Sequence, residues 1–330
     1  MRIARTVKRL ATRGPSPWPV LSVYVNTRPV GPQMLTYRPL LKRRMAEELS
    51  AYPQRSPERE SLVVDFARAQ HYLDYDLRPE TKAAAVFSSY AGDDTFDAVQ
   101  LPIEFPESMI VVGERPTLFP LLLVLDRESR ALALVADART ARLFVVSLGA
   151  VVTRREVRAA ETPGVAEVAG SRFATDSAQA LADLATEEGV THVLMGGDPE
   201  AVAAIRAALP APWNSRALPD VDWDPRIAET DLAADVFSRL DAQRLEERTA
   251  EARALLEVAP AGDGVLGVEE ARAALLARSV DRLLIGSEFA DLAAREELGA
   301  IALALGAAVR VIPPGLVPAF DTAGVGAMRG

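Results

Sequence analysis

Cysteine is absent from the 330-residue chain, and histidine occurs only as His71 and His192. The first absence excludes disulfides, Cys-zinc sites and thiol nucleophiles. The second leaves a histidine-rich metal centre without ligands, so neither a metal nor a cofactor is expected. Long apolar runs are missing too. None approaches the ~20 residues that cross a bilayer, and the greasiest stretch, 118–125, is strand-sized and contains Pro120. The opening MRIARTVKRLATRGPSP is basic, but no apolar core of the ~7–15 residues a secretory signal needs follows it. The expectation is a cytoplasmic protein without membrane contact.

What is present is an uneven charge. The chain carries −9 overall, yet residues 1–60 hold twelve basic side chains against four acidic ones, +8, which leaves −17 for the remainder. Arg2, Arg5, Lys8, Arg9 and Arg13 fall on or beside a predicted helix over 2–12. Lys42, Arg43 and Arg44 fall on a second, over 34–50. Clustered cations displace counterions from phosphates, so these eight are candidates for an RNA contact. The plain alternative is a solvated basic face.

Between those helices GPSPWP breaks the chain, and VLSVYVN, 20–26, is β-branched and aromatic like a strand. Ser56 followed by Pro57 starts a helix over 57–76. AAAVFSSY and FDAVQLPIEF form a strand pair, and this segment ends near 113–117. FPLLLVL, RALALVA and TARLFVVSL then read as three hairpin-linked strands, followed by a helix, the strand VTHVLMGG and a helix capped by Asp198. The Gly196-Gly197 pair has two readings, a phosphate cradle or a tight strand-to-helix turn. No Lys-Ser/Thr follows it, which favours the turn. Residues 228–258 are almost free of Gly and Pro and read as a long connecting helix. Beyond them, β/α alternation describes a small α/β/α sandwich ending in the Gly-rich FDTAGVGAMRG. The expected architecture is a three-domain α/β protein. A mixed-sheet basic N-terminal domain spans 1–116 and a mixed-sheet middle domain 117–228. The long helix 229–258 leads to a C-terminal α/β/α domain over 259–330.

Three stretches occur in a characteristic order: LVADARTARLFVVSLG (134–149), GVLGVEEARAALLARSVDRLLIGSE (264–288) and DTAGVGAMRG (321–330). Together they resemble the middle and C-terminal domains of the release factor 1/Pelota superfamily, and above all its bacterial branch, the bacterial archaeo-eukaryotic release factor family. The opening strand VLSVYVN is similar as well. The resemblance implies a tRNA-shaped factor that enters the ribosomal A site. Its N-terminal domain would face the decoding centre, and its middle domain the peptidyl-transferase centre. Its C-terminal domain would meet the stalk base or a translational GTPase. The implied partners are the ribosome, through rRNA with P-site tRNA or mRNA, and that GTPase.

Release factors of this superfamily carry Gly-Gly-Gln on a middle-domain loop, where the glutamine backbone places water against the peptidyl-tRNA ester. The sequence has no Gly-Gly-Gln. The corresponding region, 158–179, offers Ala169, Gly170, Ser171 and Arg172 as the candidate loop facing the peptidyl-transferase centre, with a helix expected after Thr175 and Asp176. Gln179 reads as an ordinary helix residue. A Ser171 nucleophile would need a base, and His192 is the one histidine nearby. Arg154, Arg155, Arg158 and Arg172 are either phosphate contacts or solvent-exposed side chains. Three functions stay open. The first is a non-catalytic factor occupying the A site of idle or stalled ribosomes in hibernation or rescue. The second is a peptidyl-tRNA hydrolase or tRNA-cleaving enzyme with a variant loop. The third is a protein-interaction scaffold. No catalytic residue is assigned.

Overall fold

The computed structural model describes residues 2–28, 37–159 and 166–329, with the side chains of Arg2 and 166–170 outside the description. The chain is mixed α/β, and its described residues form three four-stranded sheets, each within one of the three expected α/β segments. It divides into two compact units, 1–126 together with 245–330, and 127–244. Among the described residues no helix is long and apolar enough to cross a membrane.

The first unit begins with α1 (Arg2–Ala11), β1 (Val20–Asn26), α2 (Tyr37–Ser50), α3 (Pro57–Tyr75), β2 (Ala83–Ser89), β3 (Thr95–Leu101) and β4 (Met109–Gly113). The strands pair antiparallel in the order β3-β2-β1-β4. Strands β1 and β2 lie in the middle and are buried almost throughout, which is why both read as continuous apolar runs rather than alternating ones. Leu21, Val23, Val25, Ala84 and Val86 pack with Tyr37, Leu41, Leu62 and Phe66 from α2 and α3. On the opposite face Tyr24 meets Phe87 and Phe105 edge-on, at 5.7 and 5.1 Å between ring centroids. Helix α3 starts as expected, with Ser56 accepting the Arg59 amide at 3.2 Å. Asp65, fully buried, ties α3 to the end of β2 by accepting from Ser88 Oγ (2.5 Å) and the Tyr90 amide (2.8 Å).

The chain continues through α4 (Phe119–Arg127), β5 (Arg130–Ala136), β6 (Thr140–Ser147), β7 (Ala150–Arg158), α5 (Ala166–Glu187), β8 (His192–Gly197), α6 (Pro199–Ala208), the short α7 (Ala211–Asn214) and α8 (Glu229–Val258). The stretch FPLLLVL is therefore a helix and not the first of three strands. Phe119, Leu121, Leu122 and Val124 are all buried, so no polar face gives the helix a periodic signature. The hairpin series is β5–β6–β7, in a sheet ordered β7-β6-β5-β8 with β5 and β8 parallel. Alternation along β5 sorts the layers. Leu132, Leu134 and Ala136 pack beneath α5 and α6. Ala131, Ala133 and Val135 pack against Leu232, Val236 and Leu240 in the first half of α8.

The second half of α8 belongs to the first unit. It is followed by β9 (Gly264–Leu266), α9 (Val268–Leu276), β10 (Arg282–Gly286), α10 (Leu292–Leu305), β11 (Ala308–Ile312), α11 (Pro318–Ala323) and β12 (Val325–Met328). The order is β11-β10-β12-β9, so the Gly-rich tail VGAM is an inner strand. Ala252 and Leu255 of α8 share a core with Leu284, Ile312 and Phe320.

Candidate functional site

Helix α1 is amphipathic. Val7 and Leu10 are buried, Arg5, Lys8 and Arg9 are exposed, and Arg13 just beyond the helix is half-buried. Asp97 on β3, itself 8% exposed, holds the helix by accepting from Arg9 and, at 2.8 Å, from Arg13. In register Asp97 stands opposite Phe87, on the face of the sheet away from α2 and α3. The side chain of Arg2 lies outside the described residues. Arg5 and Lys8 make no ion pair among the described residues, and α1 itself contains no acid.

Lys42 and Arg43 are exposed on α2. Arg43 stands 3.8 Å from Glu47. Arg44 is committed to structure, since it pairs with Glu47 (2.7 Å) and Glu48 (2.5 Å) and donates to the Ile110 carbonyl (3.2 Å). Because α1 and α2 lie on opposite faces of one sheet, the candidate cations whose side chains are described do not form a single patch. Sequence proximity concealed this, because the chain crosses the sheet through β1 between the two helices.

Residues 169–172, expected on a loop, lie within α5. Phe173, Ala174, Ser177, Ala178 and Leu181 recur at helical spacing and are buried, which gives the helix its core-facing side from Phe173 onward. Thr175 sits inside it, donating to the Ser171 carbonyl one turn back at 3.0 Å, and does not cap it. Gly170 costs about 1 kcal/mol relative to alanine within a helix and does not break it. Ser171 and Arg172 are exposed, and Arg172 stands 3.9 Å from Asp176. Gln179 is the ordinary helix residue expected, donating to Asp183 at 2.8 Å.

His192 opens β8 beyond the other end of α5. The seventeen residues from Ser171 to Glu187 rise ~24 Å, so His192 is no base for Ser171. Its ring nitrogens lie 2.9 Å from Thr191 Oγ1 and 3.2 Å from Gln243 Nε2. The β7 arginines are paired: Arg154 with Glu229 (3.3 Å), Arg155 with Glu187 (2.9 Å), and Arg158 with Glu156.

The Gly196-Gly197 turn is closed by backbone. Gly197 has φ +113°, and a Cβ there would lie 2.1 Å from the Ala136 carbonyl oxygen. Asp198 Oδ1 already accepts the amides of Glu200 (3.0 Å) and Ala201 (3.1 Å), the donors a phosphate would use. Gly197→Ala is therefore expected to destabilise the second unit by about 3 kcal/mol through strain and overpacking, measured by urea denaturation. Full stability with altered phosphate binding would contradict a purely structural turn. Gly262, Gly264 and Gly267 have the spacing of a dinucleotide fingerprint. They follow a 3₁₀ turn (259–261) and not a strand, so the strand–turn–helix context of that fingerprint is missing.

The β5–β8 sheet, α5 and α8 lie in one continuous stretch of chain. Residues 116–261 match the model of bacterial archaeo-eukaryotic release factor family 10. The resemblance drawn from the sequence is borne out over that stretch. The family-matched stretch includes Ala169–Arg172, and no Gly-Gly-Gln occurs in the chain. No curated protein matches in sequence. Among solved structures, the chain is similar to the archaeal translation termination factor aRF1, at 17% identity over 99% of this chain and 96% of that one, TM-score 0.30. It is also similar to Pelota of Archaeoglobus fulgidus, at 17% identity over 74% and 78%, TM-score 0.37. Dom34 of S. cerevisiae, a translation termination-like factor, is similar at 11% identity over 75% and 80%, TM-score 0.46.

Proposed function

We propose that this chain is a non-catalytic ribosome-binding factor that occupies the A site of idle or stalled ribosomes, in hibernation or rescue, and works in the cytoplasm. The observation that carries the reading is the family match over 116–261 in a chain without Gly-Gly-Gln. The helical setting of Ala169–Arg172 supports it. Ester hydrolysis by water needs a backbone free to approach the ester closely, and amides inside a helix are already hydrogen-bonded along it. In this reading residues 1–116 form the decoding-side domain and 117–228 the domain facing the peptidyl-transferase centre. The helix 229–258 joins them to the partner-binding domain 259–330, whose partner is a translational GTPase. Helix α1 contributes the phosphate contact, through Arg5 and Lys8, because its cations are not neutralised by acids of its own helix.

Two assays test the reading together. Co-sedimentation with ribosomes is expected at low salt and lost steeply as salt rises. A peptidyl-tRNA release assay on those ribosomes is expected to show no hydrolysis above background. Release that disappears in Ser171→Ala and Arg172→Ala, with binding retained, would overturn the non-catalytic assignment. Failure to sediment with ribosomes at any salt would remove the reading itself.

A further inference from the structure

Helix α4 begins without a cap of its own. Leu118 precedes it and has no side-chain acceptor, and Pro120 at its second position has no N–H. The acceptor comes from α10, more than 170 residues along the chain. The Leu118 amide lies 2.6 Å from Glu296 Oε2, and the Phe119 amide lies 3.1 Å from both carboxylate oxygens. The bonding continues into the first sheet. Tyr24 on β1 donates from its hydroxyl to the Thr117 carbonyl at 2.5 Å, and the Thr117 amide donates to Ser22 Oγ at 3.0 Å. Strand β1, the 117–119 turn and α10 thus form one hydrogen-bonded chain inside the first unit.

The flanking residues of α10 are shaped to the same contact. The Arg295 guanidinium lies 3.9 Å from the centroid of the Phe119 ring and donates to the Ser287 carbonyl at 2.8 Å. One turn on, Gly299 leaves room for Leu122: a Cβ there would lie 2.6 Å from Leu122 Cδ1, and that side chain would have to shift. Helix α1 packs against α10 as well, while Arg9 and Arg13 fasten its other side to Asp97. The basic helix is therefore held between the first sheet and the C-terminal domain.

We propose that Glu296 is a positioning latch: by capping α4 it fixes α10 against the first sheet, and through α10 it sets how α1 presents Arg5 and Lys8. The regulatory meaning rests on the reading of α1 as the phosphate-contacting helix. The latch itself rests on the contacts alone. Burial pushes the Glu296 carboxyl above the usual carboxylate range, against the lowering effect of the two amides and Arg295. The closed junction is thus held against a desolvation cost. A partner of the C-terminal domain that draws on α10 would open the junction and move α1 with it.

Hydrogen exchange by mass spectrometry on the full chain tests this, with peptides covering 117–123, 2–11 and, as a control for global unfolding, 83–89. Glu296→Ala orphans two amides and is expected to speed exchange about tenfold in both 117–123 and 2–11. Glu296→Gln keeps an acceptor and is expected to stay within about threefold of wild type. Faster exchange at 117–123 with 2–11 unchanged would reduce Glu296 to a local cap and overturn the latch. So would no change at either segment. If Glu296→Ala also raises exchange in 83–89, Gly299→Leu, which wedges α4 from α10, decides between the same outcomes. Ribosome co-sedimentation of the same variants completes the test. A wild type that does not bind ribosomes refutes the functional reading, while the exchange pattern still decides the latch.

Discussion

Arg5→Glu combined with Lys8→Glu is expected to lower ribosome affinity about a hundredfold at 50 mM salt and to make the salt dependence of log K shallower by about two units. Both side chains are exposed on α1, both are free of ion pairs among the described residues, and the helix carries no acid to offset them. Lys42→Glu is expected to change affinity less than threefold. Lys42 lies across the sheet from α1, on a helix that also bears Glu47 and Glu48. Sedimentation over a salt series measures both variants. Arg9 and Arg13 are unsuitable probes, because their loss would also unfasten α1 from Asp97. Equal losses for the α1 pair and for Lys42→Glu would point to a diffuse charge effect and remove α1 from the account.

The largest effect on stability is expected at Arg248. Its side chain is 7% exposed and lies 2.9 Å from Asp126, whose side chain is 2% exposed, and 2.9 Å from Glu251. Glu251 also meets Arg282 at 3.1 Å and Arg310 at 3.5 Å. The network joins α4, α8, β10 and β11 within the first unit. Arg248→Ala breaks a buried ion pair, which costs about 3–5 kcal/mol. Exchanging both partners for apolar residues, Arg248→Met with Asp126→Leu, is expected to cost less, since both charges of the pair leave the interior together. Urea denaturation monitored on the first unit distinguishes the two. A loss below about 1 kcal/mol for Arg248→Ala would mean that water already reaches the pair.

Much of the fold was legible where physical signals are local. The strand VLSVYVN follows its β-branched and aromatic residues to the last position, and Ser56-Pro57 starts α3 with the hydrogen bond that its sequence predicts. Asp198-Pro199 starts α6 in the same way. The failures share a different cause. Helix α4 looked like a strand because its cap is Glu296, far away in sequence, and because none of its positions is exposed, so no polar face marks it. Helix α5 looked like a loop at 169–172 because Gly170 and small residues mask a helix whose register is set by Phe173, Ala178 and Leu181 against the sheet. Strand β7, AVVTRREVR, has no apolar/polar alternation in its sequence and forms a half-exposed edge, so nothing local marks it as a strand. The site was less legible than the fold. Cations close in sequence fall on two faces of a sheet, and Asp97, which holds two of them, carries no mark in the sequence.

The central claim is that this protein occupies the A site, and competition with deacylated tRNA for that site on vacant ribosomes tests it most directly. The account predicts mutual exclusion, each displacing the other in proportion to its concentration, with the Arg5→Glu, Lys8→Glu variant displacing little. Simultaneous stoichiometric binding of the protein and A-site tRNA to one ribosome would contradict it.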